Sequence, residues 1–170
     1  LSRGYKRQSE GFILAQANSN ARLLGDEPFQ FFEKFPSIQV AVDADRKNGI
    51  EQLLSLPEKP EVILLDDAFQ HRKVKAGFYI LLTSYGDLYS DDCMLPTGNL
   101  RETRSGAKRA DLIVVTKCPF DLSLDKQNDI RKRLKLSVNQ QLYFTFIAYD
   151  TFVYGEKQKV NINEIQSTVK

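Results

Sequence analysis

Short apolar runs alternate with helix-like stretches along this chain, the pattern of an α/β protein. Phe12–Ala15 is a brief apolar run that predicts a strand or sheet edge. Asp26 to Phe35 opens on Asp-Glu-Pro, an acidic helix start with proline near the first turn, and continues with apolar positions at Phe29, Phe32 and Phe35. Those phenylalanines are read as core. Ile38–Val42 predicts a strand. Asp45–Leu56 places Ile50, Leu53, Leu54 and Leu56 at helical spacing and stops before Pro57. Val62–Leu65 predicts a central strand, Tyr79–Thr83 another and Leu112–Thr116 a third. None of these runs alternates strictly, which favours strands covered on both faces of a parallel sheet with helical crossovers.

Beyond Pro119 the pattern changes. Ser123–Leu136 is charged and helix-prone, with apolar points at Leu124, Ile130 and Leu134. Leu142–Ala148 is aromatic-rich and strand-like. Phe152–Tyr154 and Lys159–Ile162 flank a charged turn at Gly155–Gln158, as in a hairpin.

Composition narrows the class. With 42% hydrophobic and 27% charged residues over 170 positions, the chain is ordinary for a globular protein. A net charge of +2 gives no argument for nucleic acid. No apolar run approaches the ~20 residues of a membrane span, and no signal peptide is visible. Cys93 and Cys118 lack metal-ligand spacing, so reduced thiols are expected.

The chemistry concentrates in Val62-Ile63-Leu64-Leu65-Asp66-Asp67-Ala68-Phe69-Gln70-His71. Open α/β sheets bind ligands at the carboxyl ends of their strands. Two adjacent carboxylates there suit magnesium, which takes a few carboxylates together with waters and substrate phosphates. A buried strand followed by a polar turn is the plainer reading of the same residues.

Five motifs occur in one order: LSRGY at Leu1–Tyr5, GDEP at Gly25–Pro28, ILLDDAFQHR at Ile63–Arg72, LPTGNLRE at Leu95–Glu102 and ADLIVVTKCP at Ala110–Pro119. Together they closely resemble the tetraacyldisaccharide 4'-kinase family, the lipid A 4'-kinases of Gram-negative bacteria. The resemblance covers about the first 120 residues.

It implies a P-loop NTPase-like α/β fold with a mostly parallel sheet flanked by helices. No G-x-x-x-x-G-K-[ST] pattern occurs in this sequence. The family carries that loop upstream of SRGY and a second lobe downstream of VTKCP. The chain, which starts at Leu1 without methionine, therefore reads as the middle of a longer protein. On this reading residues 1–148 form a partial kinase-like domain, and residues 149–170 form a β-ribbon linker or the start of the second lobe.

The resemblance also assigns roles. Asp66 becomes the Walker B-like carboxylate for Mg²⁺ and Asp67 its neighbour in the metal shell or substrate site. Gln70 and His71 lie near the active site, where His71 can bond a phosphate or polarise the acceptor sugar. A lone histidine would otherwise be read as structural. Asp26 of GDEP becomes the general base toward the sugar 4'-hydroxyl, against the plain alternative of a helix-capping aspartate. The family pairs that aspartate with a histidine of the second lobe, and no histidine follows His71 here.

Arg3 becomes an anion contact rather than solvated basic surface. Arg101 offers a planar fork for phosphate oxygens, its alternative being an ion pair with Glu102. It precedes Arg104, Lys108 and Arg109 in a stretch that reads as potentially helical. Lys117 follows a buried strand where many P-loop proteins contact the nucleotide base. Pro119 stands where GTPases keep an aspartate, which leaves a looser adenine contact.

The implied reaction is ATP-dependent phosphorylation of the 4'-hydroxyl of a lipid A disaccharide 1-phosphate precursor. It would take place at the cytoplasmic face of the inner membrane, through peripheral contact of the full-length protein. This chain by itself is expected to be nearly inactive, with unpaired sheet edges that favour association. The alternative is a non-catalytic module that binds anions or lipid headgroups.

Overall fold

Two units make up the computed structural model, Leu1–Gly77 and Phe78–Lys170, and the structure describes residues 1–155 and 159–162. In the first unit the chain's own apolar runs meet edge to edge. Strand β1 (Ile13–Leu14) pairs antiparallel with β2 (Ala41–Val42), with Ile13 opposite Val42. Ser2 bridges Val42 in parallel: the Ser2 N–H donates to the Ala41 carbonyl at 3.0 Å, and the Asp43 N–H donates to the Ser2 carbonyl at 3.0 Å. Leu1 continues the arrangement, donating to the Leu64 carbonyl at 2.7 Å and accepting from the Asp66 N–H at 3.0 Å. A residue bonded in this way to i−1 and i+1 of its neighbour is paired in parallel. Three extended segments thus run side by side and deliver Arg3, Asp43 and Asp66 to one edge.

Helix α1 (Ala21–Leu24) is capped by the Asn20 side chain and α2 spans Asp26–Lys34. Helix α3 spans Arg46–Leu54, and the Asp45 carboxylate caps it by accepting from the Lys47 and Asn48 N–H groups. Leu24, Val42 and Leu53 are buried in this unit. The expected helices at Asp26–Phe35 and Asp45–Leu56 therefore form nearly as read.

Val62–Leu65 does not form the expected buried central strand. It is extended, but its ladder consists of the two bonds between Leu1 and the 64–66 stretch, and Val62 and Leu64 are 73% and 77% exposed. An apolar run becomes a doubly covered strand only when both edges and both faces find partners. Of the phenylalanines between 29 and 35, Phe29 and Phe32 are half-buried, and the other two depart from expectation. Phe31 and Phe35 are exposed rather than core, and with Pro28, Ile38, Val62 and Leu64 they line an open groove in this unit.

The second unit holds a parallel sheet in sequence order: β3 (Ile80–Ser84), β4 (Leu112–Thr116) and β5 (Gln141–Phe144). Leu81 lies opposite Ile113, and Ile113 opposite Leu142. Helix α4 (Leu124–Leu134) connects β4 to β5, starts at the Ser123 cap, and buries Ile130 and Leu134. Leu124, read as an apolar point of that helix, is 75% exposed. Only the central strand approaches burial on both faces: Ile113 and Val115 are fully buried, with their neighbours half-buried. On the edge strand β3, Ile80 and Leu82 stay exposed, contrary to the two-face expectation, because the face they share is left uncovered.

The two strands of the expected hairpin form and pair, β6 (Phe152–Tyr154) with β7 (Lys159–Asn161), antiparallel with Phe152 opposite Asn161. Its turn at 156–158 lies outside the described residues. Among the described residues no helix is long and apolar enough to cross a membrane.

Candidate functional site

The Asp66–Asp67 turn stands where the 64–66 segment leaves its parallel neighbours. Both main-chain polar groups of Asp66 are held. Its N–H bonds Leu1, and its carbonyl accepts from Arg46 Nη2 at 2.9 Å. Asp66 is half-buried and Asp67 exposed. Asp67 has φ +44°, left-handed backbone that costs a non-glycine residue energy and concentrates at functional sites. Two turns later the His71 N–H closes on the Ala68 carbonyl at 2.9 Å. His71 is half-buried, and its Nε2 is buried without a hydrogen-bond partner among the described residues, while Gln70 is exposed. A buried donor or acceptor left open is the kind of group a ligand satisfies.

Arg46 is the residue that sequence reasoning missed. It opens α3, where an arginine reads as solvated surface, yet it is 4% exposed. Its side chain reaches from the helix start to the Asp66 carbonyl, and its Nε has no partner among the described residues. Burial weakens the guanidinium's hold on its proton and the charge of Arg3 adds to this, while Asp66, Asp67 and Asp43 pull the other way. An arginine stays charged through such shifts. Asp43, also buried, braces the same helix start: its carboxylate accepts from the Asp45 N–H at 2.9 Å and from Asn48 Nδ2 at 2.6 Å. The sequence signal was Asp43-Ala44-Asp45-Arg46, charged residues directly behind a buried strand, where the sheet edge faces ligands.

The SRGY and GDEP turns pack glycine against glycine. Gly25 has φ +90°, and a Cβ there would lie 3.0 Å from the Tyr5 carbonyl and 3.3 Å from Gly4 Cα. Gly4 has φ +69°, and a Cβ there would lie 2.9 Å from the Leu24 carbonyl. Each glycine therefore makes room for the other motif. Asp26 does not cap α2: Gly25 occupies the cap position, no side chain bonds there, and the Asp26 carboxylate is exposed in the first turn. The capping alternative for Asp26 is set aside by that geometry.

In the second unit, Asp92 organises the LPTGNLRE loop. Its carboxylate accepts from the Cys93 N–H at 2.7 Å and from the Asn99 N–H at 3.1 and 3.2 Å, and its carbonyl accepts from Arg104 Nε at 2.8 Å. Gly98 has no room for a Cβ against the Cys93 backbone. The exposed Arg101 lies near the end of this loop, just before the 3₁₀ helix Arg104–Arg109. Glu102 makes a bidentate bond with Arg109, at 3.0 and 2.8 Å.

Lys117 sits at the carboxyl end of β4, exposed, with φ +58°. Beside it, Phe120 is 83% exposed and meets Phe146 edge-on at 5.0 Å. Cys118 is buried, its thiol pushed up by burial against a backbone bond from Thr145.

The first unit thus carries Arg3, Asp26, Asp66, Asp67, Gln70 and His71. Of these, Arg3, Asp66 and Asp67 share the electrostatic surroundings of Arg46, and the glycine contact joins the turn of Arg3 to that of Asp26. Arg101 and Lys117 belong to the second unit. Among the described residues no group of three or more His, Cys, Asp or Glu is assembled for a metal. Asp66 and Asp67 supply hard oxygen donors of the type magnesium takes in ones and twos beside phosphates, so the donor chemistry fits that ion.

The sequence profile of the family described as tetraacyldisaccharide-1-P 4'-kinase matches residues 1–164. A tetraacyldisaccharide 4'-kinase of Flavobacterium johnsoniae is 69% identical over 170 residues, spanning all of this chain and 50% of that protein. One of Flavobacterium psychrophilum is 66% identical, again over all of this chain and 50% of the relative. One of Bacteroides fragilis is 57% identical over 88% of the chain and 40% of the relative. The chain spans about half the length of the curated relatives it matches most strongly. No solved structure matches. The chain belongs to the tetraacyldisaccharide 4'-kinase family.

Proposed function

We propose that this chain carries the metal-side and acceptor-side residues of a kinase that moves the γ-phosphoryl of ATP to the 4'-hydroxyl of a lipid A disaccharide 1-phosphate precursor. The observation that carries the reading is the shared edge of three parallel segments, from which Arg3, Asp43 and the Asp66–Asp67 turn emerge beside the buried Arg46. Family membership gives the reaction class.

Asp66, with Asp67 beside it, would hold Mg²⁺, which when bound neutralises charge on the transferred phosphates. The remaining work falls to this chain's side chains. Asp26 takes the proton of the sugar hydroxyl as that oxygen bonds phosphorus and the bond to the ADP oxygen breaks. Its exposed carboxylate, not engaged in capping, is open to an acceptor. His71 offers its unpartnered Nε2 to a phosphate oxygen or to the sugar. Gln70 lies in the same turn region on the nucleotide side. Arg3 and Arg101 contact anionic groups of the substrate, and Lys117 with the exposed Phe120 forms the base-side surface. Residues 1–148 make up the kinase-like part, and the β6–β7 pair lies in a ribbon leading to a second lobe. The full-length protein works on the cytoplasmic face of the inner membrane through peripheral contact.

The test is ATP-dependent phosphate transfer to the disaccharide precursor, comparing this chain with a protein extended to the length of its relatives. Transfer by the extended protein alone is expected. Absence of transfer from both overturns the kinase reading in favour of anion or headgroup binding without chemistry.

A further inference from the structure

We infer that Arg46 is a positioning residue that fixes the Asp66–Asp67 turn for metal and phosphate binding, an inference that rests on the kinase reading for its consequences in activity but not for its structural content. Three observations carry it. Arg46 is nearly completely buried although it opens a helix, so a charged side chain has been taken out of water at a cost that only specific partners offset. Its Nη2 donates to the main-chain carbonyl of Asp66 rather than to a carboxylate. Such a bond fixes where the backbone lies and does not itself occupy either carboxylate. Its charge lies within reach of Asp66, Asp67 and Asp43 together, and so offsets the mutual repulsion of adjacent carboxylates before any cation arrives.

The bond is one of a set. The Leu1 carbonyl holds the Asp66 N–H, Arg46 holds the Asp66 carbonyl, and the next residue is left-handed at φ +44°. Left-handed backbone at a non-glycine residue persists where its surroundings over-determine it. Arg46 is in turn held by its helix start, which Asp43 and Asp45 brace. The coupling runs from the buried end of β2 through α3 to the turn. The Arg46 Nε is a buried donor with no partner among the described residues.

The experiment has two arms. In the first, amide hydrogen exchange is followed in this chain for Arg46→Ala and Arg46→Lys. Asp66, Asp67 and Ala68 should exchange at least about tenfold faster in Arg46→Ala, with β1 and the middle of α3 unchanged and Arg46→Lys in between. Equal protection of the turn in a folded variant overturns the inference, whatever the chain's activity. Arg46→Lys keeps the charge and most of the stem, so it covers the case in which Arg46→Ala fails to fold.

In the second arm, the extended protein's transfer rate is titrated with Mg²⁺. Arg46→Ala should raise the Mg²⁺ needed for half-maximal rate about tenfold, and added guanidinium ion should recover part of the loss. A lower rate with an unchanged Mg²⁺ requirement and no guanidinium rescue marks a merely structural role and overturns the inference. Failure of the wild-type extended protein to transfer phosphate sinks the kinase reading alone, since the exchange arm still reports on the turn.

Discussion

Gly25 and Asp26 show how one position serves the next. The left-handed φ of +90° at Gly25 turns the chain into α2 against the Gly4–Tyr5 backbone, and this places Asp26 in the first helical turn with its carboxylate outward. Alanine at 25 would carry both backbone strain and a Cβ pressed on the Tyr5 carbonyl. Gly25→Ala should therefore destabilise by more than about 1 kcal/mol, measurable as a lower urea midpoint with an unchanged slope. Asp26→Ala should leave stability nearly intact, because the side chain caps nothing. In the extended protein it should lower turnover by about 10² to 10⁴, the usual worth of a positioned base, with the apparent constant for ATP little changed. Unchanged turnover removes Asp26 from the mechanism. The sequence made these residues legible because acidic pairs and glycine turns are chemically conspicuous. Arg46 was not, because burial is a property of the folded helix start, and an arginine there looks like any solvated cation.

Helices α2, α3 and α4 could be read from residue types because their start signals are local. Asp45 and Ser123 cap through their own side chains, and Pro57 forbids continuation beyond the end of α3. Strand identity is not local. Val62–Leu65 has the composition of a covered strand, but coverage depends on partners elsewhere in the chain, and the ladder here is two bonds to Leu1. Leu112–Thr116 has a similar composition and does become the sheet centre, since β3 and β5 flank it. Removing either cap should cost about 1 kcal/mol. The two should part company in function. Ser123→Ala should leave transfer by the extended protein unchanged, whereas Asp45→Ala should also slow it, because α3 begins with the arginine that holds Asp66. Equal effects of the two variants on transfer would deny any special link between the α3 start and the site.

At the scale of the whole chain, the described surface carries more large apolar side chains than a solitary soluble protein tolerates in rows. Val62 and Leu64 alternate outward along one extended segment, and Ile80 and Leu82 do the same along β3, an edge strand with unpaired backbone groups. Exposed edges with apolar side chains are templates for further strands, and natural edges are commonly defended by charges or bulges. The 170-residue chain should therefore associate reversibly as its concentration rises, seen as growth in mean mass by sedimentation or light scattering. Salt should not dissolve the associates, since the contact is apolar and the net charge is only +2. A lysine at an outward position tests the cause. Leu64→Lys adds charge at a site 77% exposed, so it should cost little stability. It should nevertheless shift association to several-fold higher concentration, and Leu82→Lys should do the same from the other unit. A lysine variant that associates as readily as the parent would show that these edges are not the contact surface.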